Sequence, residues 1–308
     1  MQYKAAEQPE RNLMRPDLTG FIRRATDLRV LNVMVTQDGE LLASHDWEQD
    51  IRRNAYSASK SFTSAAVGIA QREGLLSVDE KLTDAFAADL PEKISPELEA
   101  ARVADLLTMS LGHDRQHLMG EQRVTMEEED WVKYALAQPL AYRPGEHFQY
   151  NNIGPYLAGV LVQRRAGQKL TDYLQPRLFD PLGIRHTVWE EDPRGYTFGA
   201  GGLMISTKEL NKLGLLYVQE GRWNGRQILP AEWVRDTMSV HSAPCQAAPF
   251  GYGYLCWGAP EGTWVINGKY CQLSFVSREK NAVITMMSEC RDKQGLFDAV
   301  FEEIWPQL

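Results

Sequence analysis

Strand-like runs in this chain cluster near its two ends, and the long stretch between them has the spacing of helices. RVLNVMV (29–35) and ELLASH (40–45) flank Gln37-Asp38-Gly39, and an Asp-Gly step between apolar runs signals a tight hairpin. Far downstream, FGYGYLCWG (250–258), GTWVINGKYCQLSFVS (262–277) and AVITMMSE (282–289) are again extended, with Arg278-Glu279-Lys280-Asn281 as the turn before the last. Between them, helical patterns fall at 59–74, 98–109, 126–138, 151–166, 169–178, 206–220 and 230–240, and LFDAVFEEIWPQL (296–308) closes the chain as a helix. Strands from both termini must therefore assemble into one antiparallel sheet around a helical insertion. That is an α+β arrangement, not alternating βαβ. The expected division is an α/β lobe over about 20–75 and 200–308 and a helical lobe over about 76–199. No repeat or linker marks a second independent domain.

Composition narrows the function. With 308 residues, 44% apolar and 24% charged, the chain can bury a large core, and disorder is not expected. A net charge of -8 offers no footprint for a nucleic-acid backbone or an anionic membrane surface. No apolar run approaches the ~20 residues that span a bilayer. The first twenty residues are polar and lack a secretory apolar region, so a cytoplasmic protein is expected. Cys245, Cys256, Cys271 and Cys290 show no CxxC spacing, which predicts buried free thiols and neither a metal site nor a redox pair.

Chemistry is suggested first by Ser57-Ala58-Ser59-Lys60, at the start of the helix SKSFTSAAVGIAQREG (59–74). That helix reads as amphipathic, with Phe62, Ala66, Ile69 and Ala70 on one face and Gly74 as its stop. Residues i and i+3 share a helix face, so Ser57 Oγ and Lys60 Nζ can meet. The positive N-terminal end of the helix favours a serine oxyanion and an uncharged lysine able to take a proton. The spacing alone is weak, because Ser277-Arg278-Glu279-Lys280 has it too, in an expected turn.

The surroundings add what the spacing lacks. Tyr56 to Ser64, YSASKSFTS, resembles the nucleophile segment of the serine β-lactamase and penicillin-binding-protein-like hydrolases. YRPGEHFQYNNIGPYLAG (142–159) resembles their Tyr-x-Asn segment, with Tyr150 and Asn152 in the motif positions. LLTMSLGHD (106–114), LFDPLGIRHTVW (178–189) and GAGGLMISTKELNKLG (199–214) resemble three further segments in the same order, so the likeness runs over about 30–290. It points to the branch related to class C β-lactamases and family VIII esterases. The resemblance implies a β-lactamase-like fold and a Ser57 acyl-enzyme, with Lys60 as the neighbour of Ser57. Tyr150 would be the general base, a phenolate held by Lys60. Asn152 would orient Lys60 or the substrate. It implies no metal or cofactor, and as partner a small ester, amide or lactam.

The third motif of the family, Lys-Thr-Gly or His-x-Gly, aligns with Ile266-Asn267-Gly268. Ile266 stands where a cation or imidazole is expected, which argues for an esterase or amidase over an efficient β-lactamase. Gly268 keeps close backbone approach possible, and the Lys269 N–H would join that of Ser57 as an oxyanion hole. Other readings are weaker. His113 and His117, spaced i, i+4 around Asp114, loosely resemble a zinc-protease helix, but no third ligand stands at a diagnostic spacing. The hydrolase resemblance implies instead a loop over the cleft, because the stretch between LLTMSLG and the Tyr-x-Asn segment borders the active site in that family. A Ser-His-Asp triad lacks a G-x-S-x-G elbow; the nearest stretch is Thr108 to Gly112. A silent binding module on the same fold is the alternative from a different class, and the presence of Ser57, Lys60 and Tyr150 together argues against it.

Overall fold

The computed structural model describes residues 15–308; most of the polar opening stretch, residues 1–14, lies outside them. Its centre is a six-stranded antiparallel sheet made of β1 (Val30–Gln37), β2 (Glu40–Asp46), β3 (Trp257–Gly258), β4 (Trp264–Gly268), β5 (Gln272–Ser277) and β6 (Ala282–Ser288). The spatial order is β2-β1-β6-β5-β4-β3, so β1 from one end of the chain pairs with β6 from the other, from Val30 opposite Ser288 to Gln37 opposite Ala282. The Asp-Gly hairpin forms as expected: Gln37 pairs with Glu40, and Asp38 and Gly39 both take positive φ, 51° and 82°.

Two extended expectations are corrected. Of 250–258 only Trp257–Gly258 joins the sheet. The run 262–277 is two strands, folded at Lys269-Tyr270-Cys271 so that Gly268 pairs with Gln272. Tyr270 and Cys271 hold φ of 61° and 63°, a left-handed turn without the glycine or asparagine that would announce it. The buried Ser288 side chain compensates, donating to the Tyr270 and Cys271 carbonyls at 2.6 and 2.9 Å.

One sheet face packs on α1 (Thr19–Asp27) and the C-terminal helix α5 (Lys293–Ala299). The core there joins Phe21, Val33, Val35, Leu273, Phe275, Ile284, Leu296 and Val300. The other face packs on α4 (Thr207–Val218), capped by Ser206 and Glu209, and continues into a larger core shared with the helical segments. Two elements occupy the middle of that core: α2 (Ser59–Arg72) and α3 (Ile153–Ala166). The amphipathic reading of α2 gives way here, because every residue from Ser59 to Ala70 is buried. Its hydroxyls are satisfied by distant backbone: Ser61 donates to Leu255 O and Thr63 to Gly199 O, at 3.2 and 2.7 Å. Small residues let α2 be enclosed from all sides, and that encloses Lys60 as well.

Several helices are shorter than their patterns. The 98–109 stretch splits into Pro96–Ala100 and Val103–Leu107, and within 126–138 only Trp131–Ala137 is helical. Three thiols are buried as expected, but Cys245 is exposed; all four are free. No helix among the described residues is long and apolar enough to cross a membrane.

Candidate active site

Ser57 sits in a single tight turn, Tyr56–Ala58, that leads into α2. Tyr56 enters that turn with φ of 48°, a left-handed conformation unusual for a bulky residue. Two contacts hold it: its N–H donates to Asn54 Oδ1 at 2.7 Å, and its ring meets Tyr270 edge-on at 5.5 Å. The turn is thereby pressed against the end of β4. Gly268 is the residue that permits this, since a Cβ there would lie 2.2 Å from the Ala55 carbonyl oxygen and 3.2 Å from the Ala58 nitrogen. The close approach expected of Gly268 is thus made first of all to the protein's own Ser57 turn. Among the described residues, neither the Ser57 nor the Lys269 N–H donates to any backbone or side-chain acceptor.

One turn into the helix, the Lys60 amine lies 3.0 Å from Ser57 Oγ, 2.7 Å from Asn152 Oδ1 and 2.6 Å from the Ala200 carbonyl oxygen. The residue is 2% exposed. Burial pulls its pKa well below the ordinary lysine value, and the Arg123 guanidinium lowers it further. Among the described residues no carboxylate is in hydrogen-bonding contact with it. A neutral amine fits these three partners: two N–H groups for Asn152 and Ala200, and the lone pair for the Ser57 hydroxyl proton.

Tyr150 and Asn152 precede α3, whose start is anchored where Gly154 lies against the Leu106 carbonyl; a Cβ there would be 2.3 Å from that oxygen. The Tyr150 ring stacks on Trp257, with centroids 5.4 Å apart, and lies 5.1 Å from Lys60 Nζ. Burial of its hydroxyl pushes the pKa up to about 12, with a hydrogen bond to Ser57 acting the other way. Burial thus works against the Lys60-held phenolate that the resemblance implies, and the hydrogen bond to Ser57 works toward it.

These groups open on one cleft of about 810 Å³, lined among others by Ser57, Tyr150, Asn152, Asn267, Gly268 and Lys269. Ile266 is not part of it: the side chain is fully buried in the larger core, so it has no direct contact with a ligand in this cleft. His113 and His117 do not reach the cleft either, being 2% and 5% exposed behind the Tyr150–Asn152 segment. The cleft wall from their loop is Gln116 and Met119 to Arg123. A metal at His113 Nε2 is also disfavoured by its other nitrogen. Ligating histidines donate that second N–H outward, but His113 Nδ1 faces the Asn151 amide donor at 3.0 Å. Among the described residues no group of three or more potential metal ligands occurs. His147 stacks on Tyr142 at 4.2 Å and does not line the cleft.

Trp257, which with Trp264 flanks the Gly268 strand and is one of two tryptophans expected to wall the pocket, lines the cleft and backs Tyr150. Two other contributors escaped the sequence. Ala200 acts through a backbone carbonyl, in the glycine-rich GAGG stretch (199–202) that was noted only for its resemblance. Arg123 lies 4.0 Å over the Phe198 ring and is ion-paired with Glu190, and its Nε has no partner among the described residues.

Comparison with known proteins agrees with the fold. An uncharacterized protein of Alkalihalophilus pseudofirmus is 25% identical over 214 residues, 63% of this chain and 56% of that protein. Protein flp of Staphylococcus aureus (strain MW2) is 25% identical over 187 residues, 56% of this chain and 36% of that protein, so the chain spans about half or less of these relatives. A penicillin-binding protein homologue from Pyrococcus abyssi, described as octameric, shares the fold at a TM-score of 0.71 and 18% identity, covering 91% of this chain and 74% of its own. EstCE1, described as a hydrolase with promiscuous acyltransferase activity, does so at 0.72 and 14% identity, covering 92% and 98%. Since the family model described as Beta-lactamase matches residues 18–304, nearly the whole of this fold, the chain belongs to the Beta-lactamase family.

Proposed function

We propose that the chain is a serine hydrolase that transfers an acyl group from an ester or amide to water through Ser57. The observation that carries this is the enclosed Lys60 amine 3.0 Å from Ser57 Oγ, with its remaining contacts made to neutral oxygens. In this reading Lys60 takes the Ser57 proton as Oγ attacks the carbonyl carbon. The developing oxyanion is met by the Ser57 and Lys269 N–H groups. Tyr150, whose ring lies 5.1 Å from Lys60 Nζ, passes a proton to the departing oxygen or nitrogen and regains one from Lys60. Water then cleaves the acyl-enzyme by the same relay in reverse. Substitution of the family's cation by the buried Ile266 favours esters and simple amides over efficient lactam cleavage. The names of structural relatives that are hydrolases or penicillin-binding proteins support the same class.

A fluorophosphonate probe is expected to label the wild-type protein covalently and to leave Ser57→Ala unlabelled. Equal labelling of both would remove Ser57 from the role. Turnover of p-nitrophenyl esters, D-alanyl amides and nitrocefin, each beside Ser57→Ala, then ranks the substrates; nitrocefin as the fastest would overturn the ester and amide preference.

Arg123 supplies a pH prediction. Its charge lowers the Lys60 pKa, and only the neutral amine is a base, so activity falls as pH drops through that pKa. Removing the charge in Arg123→Gln raises the Lys60 pKa. The acid limb of the kcat/KM profile should move to higher pH. An unmoved limb would mean that Arg123 does not act on Lys60.

A further inference from the structure

Behind the Tyr150–Asn152 segment stand two histidines that the mechanism above does not use. Their ring centroids are 5.1 Å apart, and both Nε2 atoms are buried without a partner among the described residues. The neighbouring asparagine fixes the state of one ring. Asn151 Oδ1 accepts the Ile153 N–H at 2.7 Å, so the other end of that amide, Nδ2, is the donor that meets His113 Nδ1 at 3.0 Å. A ring nitrogen that receives an N–H must present its lone pair. The proton of neutral His113 is then on Nε2. The same loop also holds the next residue: the His117 carbonyl accepts from Asn152 N–H at 3.2 Å, and the Leu118 carbonyl from Asn152 Nδ2 at 2.9 Å. This leaves Asn152 Oδ1 pointing at Lys60.

We propose that His113 is a positioning residue for the Ser57 centre, its Nδ1 lone pair fixing Asn151 and so setting Tyr150 and Asn152 against Lys60. The proposal rests on the Ser57–Lys60–Tyr150 reading. It predicts acid sensitivity, because a doubly protonated ring turns an N–H toward the Asn151 N–H and the tie is lost. The titratable groups around the ring are His117 and Asp114 on its own loop, Arg115 acting on His117, and Tyr134 from the neighbouring helix, whose hydroxyl is 3.5 Å from His117 Nδ1. Burial, and then His117, hold His113 down at about 4 against the opposing pull of Asp114, so the lone pair survives into weakly acidic solution.

Two variants and one spectrum test this. His113→Asn puts an amide oxygen near the position of Nδ1 and can still accept from Asn151; His113→Leu cannot. On the best p-nitrophenyl ester, His113→Leu should lose about tenfold in kcat with a smaller change in KM, the scale of one lost buried hydrogen bond. His113→Asn should stay within about threefold of wild type and fall less steeply below about pH 5. Imidazole 15N NMR of the wild type should show His113 protonated at Nε2 and bare at Nδ1, a readout that needs no turnover. A proton on Nδ1, or equal kcat in the Leu and Asn variants, would overturn the proposal. If His113→Leu does not fold, the spectrum and the Asn profile decide it. Loss of probe labelling in the wild type, by contrast, would overturn the serine-hydrolase reading while the NMR still reports on the tie.

Discussion

Lys60→Met should lower kcat/KM by about three orders of magnitude, within the range for loss of a positioned base. Methionine fills the space of the lysine stem, which is 2% exposed, so the helix need not move. It removes the amine beside Ser57 Oγ and leaves Asn152 Oδ1 and Ala200 O without a donor, at about 1–3 kcal/mol each. Against that, the cost of enclosing a lysine is relieved. The stability terms oppose one another and the catalytic ones do not, so turnover should collapse while the thermal midpoint moves little. Tyr150→Phe keeps the stack on Trp257 and should cost at least about a hundredfold in kcat by losing the acid alone. Steady-state kinetics on the fastest ester, beside thermal melts, check both. Turnover within tenfold of wild type for Lys60→Met would show that another group takes the serine proton.

How much of this centre the sequence shows depends on what kind of geometry each residue needs. Ser57 and Lys60 are legible as a pair because helix pitch brings i and i+3 together, although only the resembling surroundings separate them from Ser277 and Lys280. Tyr150 and Asn152 were legible only through resemblance, since nothing local says that a residue about ninety positions away returns to the same turn. Ala200 was invisible for a different reason: its contribution is a carbonyl, and side-chain pattern carries no record of it. His113 and His117 show the limit of reading a loop. The resemblance put them at a cleft edge, but which side of a loop faces solvent is decided by what packs behind it, here Asn151 and Tyr134. The sheet was legible in outline because its strands are long and its first turn is Asp-Gly. The Tyr270-Cys271 turn was missed because tertiary hydrogen bonds from Ser288, not turn-forming residues, hold it.

Gly268→Ala should be nearly as damaging as loss of the base, although it removes no functional group. The new methyl would stand 2.2 Å from the Ala55 carbonyl oxygen, with Gln272 Cβ at 3.1 Å and Ala58 N at 3.2 Å. Two of these are backbone atoms on the two sides of Ser57, so no side-chain rotation relieves the clash. The end of β4 must draw back from the nucleophile turn. The two N–H groups assigned to the oxyanion, from Ser57 and Lys269, belong to the two pieces being pushed apart. A loss of about a hundred- to a thousandfold in kcat follows, the range for one missing oxyanion donor, with a stability loss of about 1–3 kcal/mol from overpacking. Ile266→Val separates the two effects. It lies two residues earlier on the same strand, buried in the core, and should cost about 0.5–1.5 kcal/mol with little change in kcat. If both variants lose activity in proportion to stability, strand integrity explains the result. If Gly268→Ala folds well and keeps its kcat, the spacing between β4 and the Ser57 turn does not set the oxyanion site.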